Sequence, residues 1–173
     1  MLKEVEMARG WSKGFRKGNP VFQMHALSNA ANEAGHQGFV EACGLEIRAV
    51  RVLRLIDDEP GITFADIVKA AGLERSHVSR MIQQLVREGY VERRNSEHDA
   101  RRFELYTLER GREARRKADA VSERGLEVLF APLDEAQVQT LVETLNVLAT
   151  WVDSDRFDDL TREALAGAVA APD

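Results

Sequence analysis

The chain has 173 residues, 44% of them hydrophobic and 31% charged, with a formal net charge of −5. That balance belongs to a folded chain and excludes intrinsic disorder, and no apolar run approaches the ~18 residues that a membrane-spanning helix needs. A single cysteine, Cys43, excludes an intramolecular disulfide. With no secretory-type apolar stretch near the start, the expectation is a cytoplasmic protein.

Asn19-Pro20 reads as an N-cap followed by the first helical position, opening a helix that runs to Cys43 and stops at Gly44. A second helix from Leu45 is apolar around most of its girth, so it predicts burial on several sides; Asp57 to Gly61 ends it. Thr63-Phe64-Ala65-Asp66 fits a capping box with Asp in place of Glu, starting a short helix that closes at Gly72. From about Ser76 to Gly89, Val78, Met81, Ile82, Leu85 and Val86 fall at i, i+3, i+4, i+7 and i+8, one clean amphipathic stripe. Residues 90–94 and 102–107 read as two strands around the polar loop "NSEHDA". A long helix from Leu108 to Phe130 follows, broken by Pro132. Asp134 to Gln137 then caps a helix whose apolar face is Val138, Leu141, Val142, Leu145, Leu148, Ala149 and Val152. The stretch from Ser154 is acidic, then alanine-rich, and predicts a weak or fraying helix.

Two short helices joined by a tight turn and followed by a basic hairpin make a winged helix-turn-helix. The fold class is therefore mainly α with one small antiparallel β-hairpin. Charge follows this layout. Residues 1–20 carry net +3, 21–72 net −3, 73–118 net +4 and 119–173 net −9, so the acidic total hides a cationic block around the hairpin. Such a block is an electrostatic footprint for phosphate, although a solvated face gives the same charge count. Opposite the apolar stripe stand Ser76, His77, Ser79, Arg80, Gln83, Gln84 and Arg87, with no carboxylate among them. Arg80 has the donors for guanine O6 and N7, and Gln83 those for adenine. Ser76, His77 and Ser79, beside Arg75, lie at the helix start, where free N–H groups favour phosphate. Arg94, Arg101 and Arg102 bracket the hairpin tip, and Asp99 is placed to hold the Arg101 guanidinium extended.

From Pro60 to Gly111 the chain resembles the MarR family of bacterial winged-helix regulators. The resemblance is carried by "PGITFADIVKAAGLERSHVSRMIQQLVREGYVERR", by "DAR" at the wing tip and by "LYTLERG" at the next helix. It implies a double-stranded DNA-binding homodimer, acting as a repressor on a pseudo-palindromic site, with affinity changed by a small effector. It divides the chain into a basic extension (1–18), dimerisation helices (19–58 and 108–152), a DNA-binding domain (60–107) and an acidic tail (153–173). An effector pocket between the dimer helices and the winged helix would use His25, Arg48 and Arg51 against an anionic aromatic acid, with Trp11 or Phe22 stacking on it. Two positions depart from the family pattern: Val68 stands where a small alanine is usual, and Thr107-Leu108 reverses the usual Leu-Thr.

Other classes find less support. Cys43 as a redox sensor competes with a buried structural thiol. Glu33-x-x-His36 is one helical carboxylate–histidine pair without a second cluster, so neither a metal nor another cofactor is expected. No catalytic motif is present, which argues against an enzyme. The alternative to DNA binding is a winged helix whose basic face meets an acidic protein partner.

Overall fold

The computed structural model describes residues 18–95 and 102–169. In chain order these form α1 (Pro20–Cys43), α2 (Ile47–Asp58), α3 (Phe64–Ala71), α4 (Arg75–Arg87), β1 (Val91–Asn95), β2 (Phe103–Thr107), α5 (Glu109–Phe130), α6 (Glu135–Val152) and α7 (Asp155–Val169). The chain separates into two compact units, up to Glu127 and from Val128 onward.

Local chemistry sets the boundaries in the N-terminal unit. The Asn19 side chain accepts the Phe22 N–H at 3.0 Å, and Gly44 ends α1 in the left-handed region, its N–H returning to the Val40 carbonyl at 2.9 Å. Thr63 caps α3, accepting the Asp66 N–H and donating its hydroxyl to the Asp66 carboxylate. At the end of α4 the Tyr90 N–H reaches the Leu85 carbonyl at 2.9 Å around Gly89 at φ 72°, a Schellman closure that points the chain into β1.

The core lies where α2, α3, α4, the hairpin and the start of α5 meet. Leu45, Val50, Val52, Leu53, Ile56, Ile67, Val78, Leu85, Val91, Leu105 and Ala118 are all buried, as the apolar girth of α2 and the stripe of α4 require. Val68 packs half-buried against this cluster. The strands pair antiparallel with Val91 opposite Thr107, Arg93 opposite Leu105 and Asn95 opposite Phe103. Leu105 also exchanges backbone hydrogen bonds with Gly61 and Ile62, which pins the hairpin to the loop before α3. Phe103 continues the inward face of β2 but reaches past the core and is half exposed. Ion pairs join α2 to α5: Arg115 meets Asp57 (2.8 Å) and Asp58 (2.6 Å), and Arg54 reaches Asp119 (2.8 Å) and Ser122 (2.7 Å).

In the C-terminal unit, Asp134 and Gln137 cap α6 reciprocally. Trp151 meets Phe157 edge-on at 6.1 Å, turning α6 into α7. The acidic stretch that reads as a weak or fraying helix is thus a regular helix, with Asp155 and Asp158 in its first turn where the helix dipole favours them. The apolar face of α6 is not covered: Leu141, Val142, Leu145, Leu148 and Val152 remain exposed, as do Val21, Met24 and Leu27 in the first half of α1. Among the described residues no helix is long and apolar enough to cross a membrane.

Candidate nucleic-acid interface

Helix α4 is locked by its back. Val78, Ile82 and Leu85 have no more than 2% of their surface exposed, and Met81 and Val86 pack half-buried against the same cluster. The opposite face carries Ser76, Arg80, Gln83 and Arg87, all exposed, with His77 and Ser79 half-buried beside them. Gln83 donates to the Ser79 hydroxyl at 3.3 Å, one turn back. The Arg80 and Ser76 side chains make no hydrogen bond or ion pair among the described residues. Arg75 is different: its guanidinium lies over the Phe64 ring at 4.7 Å, which pre-orders it at the helix start.

The hairpin arginines also differ from one another. Arg94 is paired with Glu92 on its own strand and stacked on Tyr106 at 4.3 Å, so it is a braced side chain along the wing. Arg93 and Arg102 are exposed, and Arg102 lies close enough to Asp66 to hold that carboxyl below its usual range, after the larger effect of the Thr63 hydroxyl bond. Asp99 and Arg101 fall outside the described residues.

Of the five residues expected around an effector, four lie among the described residues. Trp11 lies outside the described residues. His25 is exposed and bonded to Asn29 at 2.9 Å, and Phe22 is half-buried on the same helix. Arg48 is exposed on α2, and Arg51 extends to the Ala71 carbonyl at 3.4 Å, capping the end of α3. A cavity of about 220 Å³ opens elsewhere, among Cys43, Tyr90, Arg110, Glu113, Ala114 and Lys117. Nothing in the sequence periodicity announces it, because its walls come from segments tens of residues apart. Cys43 donates to the Phe39 carbonyl at 3.1 Å, and burial pushes its thiol above the usual range. A thiol in that state is a poor nucleophile, unlike a redox sensor's. Among the described residues no group of three His, Cys, Asp or Glu is placed to hold a metal ion.

Residues 44–102 match the family model described as MarR family. The winged-helix segment is thus similar to the MarR family. Solved structures extend the likeness to the fold. A MarR transcriptional regulator from Methanosarcina mazei Go1 superposes with a TM-score of 0.68 at 22% identity, covering 74% of this chain and 91% of its own. The PcaV transcriptional regulator from Streptomyces coelicolor, in complex with its natural ligand, gives 0.66 at 19%, covering 80% and 97%. A Mycobacterium tuberculosis MarR family protein in complex with p-aminosalicylic acid gives 0.64 at 18%, covering 76% and 98%. Among curated proteins, none matches the sequence significantly. The chain thus has the fold of MarR transcriptional regulators, as its motifs imply.

Proposed function

We propose that this chain is a sequence-specific double-stranded DNA-binding regulator that works as a homodimeric repressor on a pseudo-palindromic operator. The observation that carries the reading is α4, a helix fixed in the core by three buried residues and presenting an outward face free of carboxylates. That is what a major-groove helix needs: a rigid mount, and donors reaching base edges. In this reading Arg80 and Gln83 read bases, while Arg75, Ser76, His77 and Ser79 seat the helix start on phosphate. Arg94, Arg101 and Arg102 hold the wing against the minor groove, organised by Asp99.

The uncovered apolar faces of α1 and α6 support the dimer, since a twofold partner buries such faces at lowest cost. The twofold then sets two half-sites about one helical turn apart. The complex of the M. tuberculosis protein with p-aminosalicylic acid supports control by a small aromatic acid, which in this reading Trp11, Phe22, His25, Arg48 and Arg51 hold.

Selection of bound duplexes from a random pool tests the reading, followed by titration of the winning sequence with Arg80→Ala. The expected outcome is an enriched palindrome and a loss of ~1–3 kcal/mol confined to one base position per half-site. Uniform weakening on all sequences makes Arg80 a phosphate contact. A pool without enrichment leaves the basic face to a protein partner and removes the DNA reading.

A further inference from the structure

Helix α5 rests on the winged helix along a seam of small residues. Its buried positions are Gly111, Ala114 and Ala118, spaced i, i+3 and i+7 on one face. Such a seam allows close approach. It carries no large side chain that locks into the opposite surface, so by itself it does little to resist rocking. What crosses from α2 to α5 beside it is polar. Arg115 reaches Asp57 and Asp58 at the end of α2, and Asp119 one turn further along α5 at 3.5 Å. Asp119 in turn accepts from Arg54 of α2, whose guanidinium also donates to Ser122. These side chains form one network between the two helices. Beyond Ser122, residues 123–129 of α5 are all exposed, so the network sits where α5 leaves the winged helix.

We propose that Arg54, Arg115 and Asp119 are positioning residues: their network fixes the angle at which α5 leaves the winged helix, and thereby selects the half-site separation that the homodimer accepts. The choice of separation rests on the dimeric DNA-binding reading; the angle itself does not. Directed, charge-assisted hydrogen bonds hold one orientation, where the seam of small residues alone accepts a range. None of the three lies on α4 or in the wing, so they act on DNA only through position. The lever is long enough to matter. From Asp119 to Phe130, α5 extends ~16 Å at ~1.5 Å per residue. A tilt of ~10° at the network moves that far end by ~3 Å relative to α4, close to the ~3.4 Å step between base pairs. Cutting the network leaves the fold intact, because the Asp119 and Arg54 side chains are 41% and 30% exposed and such pairs add little to stability.

Two measurements on the full chain test this, each with Asp119→Ala and Arg54→Met beside the parent. The first needs no DNA. Nitroxide labels at Arg87→Cys in α4 and Glu127→Cys in α5 report the distance across the network, with Cys43→Ser removing the native thiol and excess unlabelled chain diluting labelled protomers. One narrow distance is expected for the parent, and a distribution broadened or shifted by ~2–3 Å for both variants. An unchanged distribution in both overturns the positioning role. The second is affinity for duplexes whose two half-sites stand at the selected separation, or one or two base pairs closer or further apart, beside a duplex with a single half-site. Preference for the selected separation over its neighbours is expected to fall about fivefold in both variants, the scale of coupling within one ion-pair network, with single half-site affinity kept. Asp119→Glu keeps the carboxylate and is expected to keep the preference. Equal loss at every separation and on the single half-site would mean a weakened winged helix and overturns the assignment. A changed label distance with unchanged preference removes the link to operator choice. If the parent binds no duplex while the label distance still responds, the DNA reading fails and control of the angle stands.

Discussion

Gly111 sits in the first turn of α5, where that helix lies against the base of the wing. A Cβ built on it would overlap the Tyr90 carbonyl oxygen and stand 2.7 Å from Thr107 Cγ2. Ordinary carbon contacts lie at ~3.5–4.0 Å, so the shortfall against Thr107 is close to an ångström. The Tyr90 carbonyl has little room to retreat, because it accepts the Leu108 N–H at 2.9 Å and its residue is buried. Overpacking of this kind costs ~1–3 kcal/mol, and backbone contact puts it at the upper end. Replacing glycine within a helix returns about 1 kcal/mol of propensity. Gly111→Ala should therefore lose about 2 kcal/mol net. Gly125, in the same helix, would place its Cβ within 4 Å of nothing, so Gly125→Ala should gain ~0.5–1 kcal/mol. Urea unfolding followed by circular dichroism, at equal protein concentration for all three proteins, reads both values. A Gly111→Ala protein as stable as its parent would refute the described seat of α5 on the wing.

Thr107 has a buried hydroxyl without a partner among the described residues, so the isosteric Thr107→Val should be neutral or stabilising by up to ~1 kcal/mol. Clear destabilisation in the same urea assay would mean that the hydroxyl is satisfied. For Cys43, burial raises the folded thiol's pKa above the unfolded one, so its contribution to stability is complete below the ordinary thiol value and is lost as pH climbs toward the folded value. Alkylation of the native protein should accordingly reach half its maximal rate at a higher pH than a free thiol, and an earlier midpoint would contradict the described burial. Arg102→Ala should weaken duplex binding across sequences and reduce the salt slope by about one unit; an unchanged slope would take Arg102 out of the phosphate contacts.

The sequence alone was enough for the element order, because each boundary rests on chemistry local to it. Asn19-Pro20, Thr63, Gly72, Gly89 and the Asp134–Gln137 pair act within one turn of their own position, and the structure uses all of them. The recognition helix was legible for a related reason: a 3.6-residue period assigns a back face and a front face without knowing what lies behind. The tertiary structure decided what depends on groups distant in the chain. Arg94 reads as a wing arginine like Arg102, yet the hairpin pairing lays it over the Tyr106 ring of the other strand. Arg51 reads as a ligand for an acid, and the crossing of α2 with α3 sends it to a helix end. The cavity at Arg110 needs Cys43, Tyr90 and α5 together, and the tight seat of Gly111 needs the carbonyl of a residue 21 positions earlier. Periodicity and capping report on neighbours along the chain. Where a charge finds its partner is set by packing, through energies that no residue carries by itself.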